Sequence, residues 1–202
     1  MSKIHDSKQR VMNAALELIW ENSYGTTSVD SICEKADVKK GSFYHFFESK
    51  SELAVKAIEA DWQARKPVFD GLFSPSVPPL ERIANYFDFV VKRQTAAKEE
   101  CGSVLGCPLF SLGCEVCTQD HAISGKVREI LGNYVKYFES AIRDAHAQGL
   151  IVAPDAHTKA KAVFAFFQGT VTQARIENSL TPIQEAKQTV FDLLGVSVAS
   201  PA

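Results

Sequence analysis

The sequence predicts an all-α fold, and three observations predict it. Apolar residues recur at intervals of three and four along almost the whole of the 202 residues, and no stretch sustains the alternation of a strand. The breaks between periodic segments fall at cap residues, glycines and prolines. A hydrophobic content of 46% against 23% charged residues supplies a core and excludes a disordered chain. No apolar run reaches the roughly 18 residues that span a bilayer, so no membrane partner is expected. The first residues lack the apolar stretch of an export signal, and five cysteines, an odd number, argue for a reducing compartment. A cytoplasmic protein is expected.

The elements follow in order. The first helix is predicted from Ser7 to Asn22, with Val11, Ala15, Leu18 and Ile19 on one face and Gly25 just past its end. A second helix starts after Thr27, with Asp30 in its first turn and an apolar face of Val29, Ile32, Cys33 and Ala36. A third covers Lys39 to Phe46. Ser49-Lys50-Ser51-Glu52 reads as a capping box, so a fourth helix begins at Lys50 and runs until Pro67 kinks or ends it. After a loop at 74–79, Leu80, Ile83, Phe87, Val90 and Val91 mark a fifth helix, and residues 97–106 read as loop. A short helix is expected at Pro108–Val116 and a long one from Asp120 to Gln148, stopped by Gly149. Further helices are expected over Ala156–Asn178 and Pro182–Leu194, the last capped by Thr181.

Residues 25–53 carry the functional signal. They spell a helix, a short turn at Asp37-Val38, and a second helix whose first residues are basic or small. A recognition helix has this form, because its N-terminal residues must approach bases and phosphates in the major groove. Lys39 and Lys40 offer charge, Gly41 and Ser42 permit close approach, and Tyr44, His45 and Lys50 can donate to phosphates. Thr27 and Ser28, at the mouth of the preceding helix, complete the candidate DNA-binding set. Phe43, Phe46 and Phe47 form the apolar side that seats the third helix. Residues 1–50 carry seven Lys/Arg and seven Asp/Glu, and the remainder carries 15 and 17, for a net charge of −2. Three of the first seven cations lie in the N-terminal arm and three between residues 39 and 50, a local basic surface at one end of an acidic chain.

The string Ile32, Ala36, Val38, Lys40, Gly41, Tyr44, Phe46, Phe47, Lys50, Leu53 closely resembles the signature of the TetR family of transcriptional regulators. It departs from that signature in having Cys33 for a common Ala and Asp37 for a frequent Gly, and Asp tolerates left-handed geometry. The resemblance implies an N-terminal three-helix helix-turn-helix domain, residues 1–50, and a C-terminal helical ligand-binding and dimerisation domain, residues 51–202. It also implies a homodimer on double-stranded, palindromic operator DNA, released by a small-molecule effector, with repression the commoner outcome. The helices at 156–178 and 182–194 are the dimer candidates, through Val163, Phe167, Gly169, Thr170 and Ala174.

Cys101, Cys107, Cys114 and Cys117 fall within 17 residues. Their spacing gives no matched pairs for zinc, and no metal or other cofactor is expected. Cys107 sits at a predicted N-cap before Pro108, where the helix dipole stabilises a thiolate. The run from Gly106 to Cys117 resembles the NemR-like, electrophile-responsive subgroup of the same family, in which Cys107 and Cys117 match cysteine positions. Pro108 departs from the usual Leu, and Arg175 stands where the redox-responsive type has Lys. Core packing of these cysteines is the competing reading.

A ligand site is expected among the later helices, lined by Phe87, Cys107, Phe110, Tyr134, Tyr137, Phe138, Phe164 and Phe167, with His121, Asn133, Gln168 or Gln173 as polar tethers. Such a wall suits a small hydrophobic or planar effector. A helical enzyme, or an interaction module without DNA binding, is the alternative of a different class. No paired carboxylates, phosphate loop or HExxH run supports it, and the five histidines are scattered.

Overall fold

The computed structural model describes residues 3–196, with side chains from residue 6 onward. Nine helices and no strand are present among the described residues: α1 (Lys3–Glu21), α2 (Val29–Lys35), α3 (Lys40–Phe46), α4 (Lys50–Leu72), α5 (Pro79–Cys101), α6 (Pro108–Val116), α7 (His121–Ala147), α8 (Ala156–Glu177) and α9 (Thr181–Leu194). The all-α class is the one expected.

Packing divides the described chain into two compact units. One comprises the residues up to Arg65 with Cys107–Leu131; the other comprises Lys66–Gly106 with the residues from Gly132 onward. In the first, α1, α2 and α3 close around Val11, Ala15, Ile32, Cys33, Phe43 and Phe47, with Leu53 and Ala57 of α4 joining the same core. Each fully buried phenylalanine of that cluster contributes about 1.5–3 kcal/mol. In the second unit, α8 and α9 pack together and α5 packs on α9. A ring network runs from Phe69 and Phe73 through Tyr86, Phe87, Tyr134 and Phe138 to Phe164 and Phe167.

Several boundaries differ from expectation for identifiable reasons. The residue that caps α2 is Ser28 rather than Thr27: its hydroxyl accepts from Ser31 N–H, and Ser31 Oγ accepts from Ser28 N–H. Pro67 neither ends nor breaks α4 as a helical element. Gln63, whose carbonyl loses its donor, lies with Pro67 on the exposed face, where solvent replaces the bond, while Phe69 and Phe73 are buried beyond it. Residues 97–101 are the last turn of α5 rather than loop, stopped at Gly102 with φ 77°. Thr181 is the first residue of α9 and Leu180 its cap, without a side-chain bond.

Candidate functional site

The helix-turn-helix is built from short-range geometry. Ser28 opens α2 with its capping box, and the turn is closed by Asp37 N–H donating to Glu34 O and Val38 N–H to Cys33 O. Asp37 takes φ 51°, the left-handed conformation that its family-typical alternative, glycine, adopts without strain. α3 then begins at Lys40, with Lys39 as an N-cap that makes no side-chain bond. Phe43 and Phe47 are buried and Phe46 is half-buried, which turns the opposite side of α3 outward.

The outward side carries most of the expected contacts. Ser28, Lys39, Lys40, Gly41, Tyr44 and His45 are exposed, and Ser42 is half-buried. Tyr44 is 56% exposed and stands edge-on to Phe43. Lys40 Nζ lies 2.7 Å from Asp30, whose carboxylate raises the ammonium's pKa by hydrogen bonding and charge. Lys39 makes no ion pair among the described residues. At Gly41, on this outward side, a Cβ meets no atom within 4 Å, as is also true of Gly71, Gly125, Gly132 and Gly169 in other helices.

Two expected contacts are placed otherwise. Thr27 is only 3% exposed, and its hydroxyl donates to Ser23 O at 2.7 Å, so it serves the turn. Lys50 Nζ donates to Tyr24 O and Thr27 O, each at 2.9 Å, and lies 4.1 Å over the Tyr24 ring. Burial lowers the pKa of this ammonium, and the charge of Glu115 opposes that shift.

Glu115 lies in the run that resembles the NemR-like subgroup, but sequence reasoning gave it no place in the site. From α6 its carboxylate accepts from Tyr24 N–H at 2.9 Å and Gly25 N–H at 2.6 Å. The turn between α1 and α2 is therefore held by a carboxylate on its N–H groups and an ammonium on its carbonyls. A Cβ at Gly25 would lie 2.9 Å from Glu115 Oε1, so a larger residue there would push that carboxylate off its present position. The two partners stand 90 residues apart, and no local pattern signals the pair.

The expected ligand residues divide between the units. Phe87, Tyr134, Phe138, Phe164 and Gln168 are buried together in the unit of α5, α8 and α9; Cys107 and Phe110 belong to the unit of the helix-turn-helix and are half-buried. Phe69 stacks on Tyr134 at 4.8 Å, and Tyr86 meets Phe138 at 5.0 Å and Phe167 at 5.2 Å. Tyr137 is half-buried and donates to Asp70; burial and that carboxylate raise its phenol pKa. Arg175 Nη1 donates to Leu105 O at 2.9 Å. Of the dimer candidates, Val163, Phe167 and Ala174 prove to be interior residues of their own unit, because they lie on the buried face of α8. Gly169 lies on the outer face, where a Cβ meets nothing within 4 Å, one side of a helix that also exposes Ile176 by 80%.

The cysteines form no disulfide: Cys33 is buried, Cys107 half-buried at the N-cap of α6, and Cys101, Cys114 and Cys117 exposed. Among the described residues, no three His, Cys, Asp or Glu side chains are grouped to hold a metal ion. No described helix is long and apolar enough to cross a membrane.

A family model for bacterial regulatory proteins of the tetR family matches residues 11–57, and one for the tetracyclin repressor-like C-terminal domain matches residues 79–190. The chain is 25% identical over 191 residues to the HTH-type transcriptional repressor DhaR of Mycobacterium sp. (strain GP1), covering 93% of this chain and 91% of that one. It is 24% identical over 204 residues to the HTH-type transcriptional repressor NemR of Escherichia coli K12, covering 98% and 96%. The crystal structure of reduced Escherichia coli NemR superposes with a TM-score of 0.84 at 20% identity, over 96% of this chain and all of that one.

Proposed function

The chain belongs to the TetR family of bacterial regulatory proteins, DNA-binding transcriptional regulators of the helix-turn-helix type, and from that premise we propose that it is a homodimeric repressor of a palindromic operator. Residues 1–50 read the DNA, and the chain from 51 onward dimerises and binds a small hydrophobic or electrophilic effector that releases the operator. Ser28, Lys39, Lys40, Gly41, Ser42, Tyr44 and His45 face the duplex. Thr27 and Lys50 position that surface through the α1–α2 turn instead of touching DNA. The outer face of α8 around Gly169 and Ile176, together with α9, meets the second copy.

Gly41 carries the reading. At the second position of α3 an alanine would favour the helix by up to about 1 kcal/mol, and nothing in the chain occupies the space its methyl would take. Other helical glycines also have open space beside them, so what supports the reading is the place of Gly41 on the exposed side at the head of α3, where a bare backbone suits the close approach of a phosphate or base edge. Gly41→Ala is expected to keep or raise the melting temperature while lowering affinity for DNA from the protein's own promoter about tenfold or more. Fluorescence anisotropy against salt concentration measures both affinity and the number of phosphates engaged. Parent-like binding by Gly41→Ala would remove α3 from the interface.

A second reading of the trigger rests on Cys107. It caps α6 without a side-chain cap bond, the same helix from which Glu115 holds the α1–α2 turn, so alkylation or oxidation there acts on the element that positions the reading head. Arg175 offers a guanidinium where the redox-responsive type has Lys, so no lysine amine is available at that position. Operator release by N-ethylmaleimide in the parent but not in Cys107→Ser supports the thiol trigger; equal release in both excludes Cys107.

A further inference from the structure

Two glutamines are buried in the unit built from α5, α8 and α9, and they are treated in opposite ways. Gln94 on α5, 4% exposed, closes a reciprocal pair with one residue: its Nε2 donates to Gly106 O at 2.9 Å and its Oε1 accepts from Gly106 N–H at 3.0 Å. Gln168 on α8 is 2% exposed, and neither its Oε1 nor its Nε2 has a hydrogen-bond partner within the protein. Its backbone is settled, since the Gln168 carbonyl accepts from Thr172 Oγ1 at 2.8 Å. α8 thus holds the amide in place on an interior face shared with Phe164, Phe167 and Val171. Buried polar atoms are ordinarily paired, and an amide with both ends unmet opposes folding unless something returns its bonds.

Resting on the effector reading above, we infer that Gln168 anchors the effector, and that the effector is a neutral aromatic molecule offering a hydrogen-bond donor and acceptor side by side. A carboxamide or an undissociated carboxyl group has that form, and it would repeat at Gln168 the reciprocal pair that Gly106 makes with Gln94. Phe164 and Phe167 belong to the ring network, so an aromatic body finds rings to pack against. An ionised carboxylate is rejected on two grounds. It has no donor for Oε1, and the buried face of α8 supplies no cation to offset its desolvation.

The test uses the full chain and three probes of one size: benzamide, benzoic acid and toluene. Calorimetric titration should show benzamide binding the parent about tenfold or more tighter than toluene, independently of pH. Benzoic acid should bind only in its undissociated form, losing about tenfold per pH unit above its ionisation; whichever of the two, the undissociated acid or the amide, binds tighter identifies the group. Gln168→Met keeps the length and volume without the amide. It should melt at the same temperature or up to about 4 °C higher, and bind benzamide no better than toluene. The inference is overturned if benzamide shows no advantage over toluene in the parent, if that advantage survives in Gln168→Met, or if Gln168→Met melts lower, which would mean the amide is paired in the folded protein. Operator release separates this from the underlying reading. Apolar compounds that release both proteins equally leave the effector reading intact and remove the anchor, whereas benzamide bound through Gln168 without release keeps the anchor and removes the effector role.

Discussion

In the unit that carries α2 and α3, Lys39, Tyr44 and His45 stand outward from a small core, whereas in the unit that carries α5, α8 and α9 the large rings turn inward and pack on one another. The first arrangement leaves polar groups where a rigid partner can reach them, held by short-range caps and by the Glu115 and Lys50 contacts on the turn. The second commits its aromatic area to cohesion and leaves one amide unmet. The difference teaches that the same residue type, an aromatic at helical spacing, can stand exposed in one region, as Tyr44 does beside the buried Phe43 and Phe47, and be packed in the other. Tyr44 and Phe138 are the clearest pair, one 56% exposed and the other fully buried.

The largest expected effect sharpens that contrast. Phe138→Ala removes a ring lying against Phe73, Tyr86 and Phe164 and should cost about 3–5 kcal/mol of stability, read by chemical denaturation. Tyr44→Ala should change stability by no more than about 0.5 kcal/mol while weakening operator binding. Similar destabilisation by both would erase the distinction. Next comes Glu115→Ala, which frees the Tyr24 and Gly25 N–H groups at an exposed site. A loss of about 1–2 kcal/mol in operator affinity is expected, with Glu115→Gln between it and the parent. Unchanged binding would mean that the turn is held without the carboxylate.

The smallest effect concerns Asp120, whose Oδ1 accepts from the N–H groups of Ala122 and Ile123 at the start of α7. Burial pushes this carboxyl's pKa up, but those N–H groups and the Ser51 hydroxyl outweigh it, and the net shift is downward. A carboxylate whose folded pKa lies below its unfolded value stabilises the fold above about pH 4, and that contribution fades as pH falls through the folded value. Asp120→Ala should therefore cost about 1 kcal/mol at neutral pH. The gap to the parent should narrow in denaturation series run below pH 4. A gap that widens there would reverse the assigned shift.

How far the sequence could be read depended on the range of the interactions involved. The helix-turn-helix was legible because its determinants lie within a few residues of one another: the apolar spacing of α2, the turn-tolerant Asp37, and the basic and small residues opening α3. The cap one residue away at Ser28, the continuation of α4 through Pro67 and the extra turn of α5 were not. They depend on which face meets solvent and on how far tertiary packing extends a helix beyond its local preference.

The amino-acid order alone therefore determined the helical class, the reading head and its basic and small surface residues, since periodicity and capping act within one or two turns. Tertiary structure alone decided that Lys50 and Thr27 serve the turn, that Glu115 reaches across 90 residues to hold it, and that Val163, Phe167 and Ala174 pack inside their own unit. It also decided that Gln94 is paired and Gln168 is not. Hydrogen bonds and burial between distant segments leave no local pattern, because whether a donor is met depends on what the folded chain places opposite it.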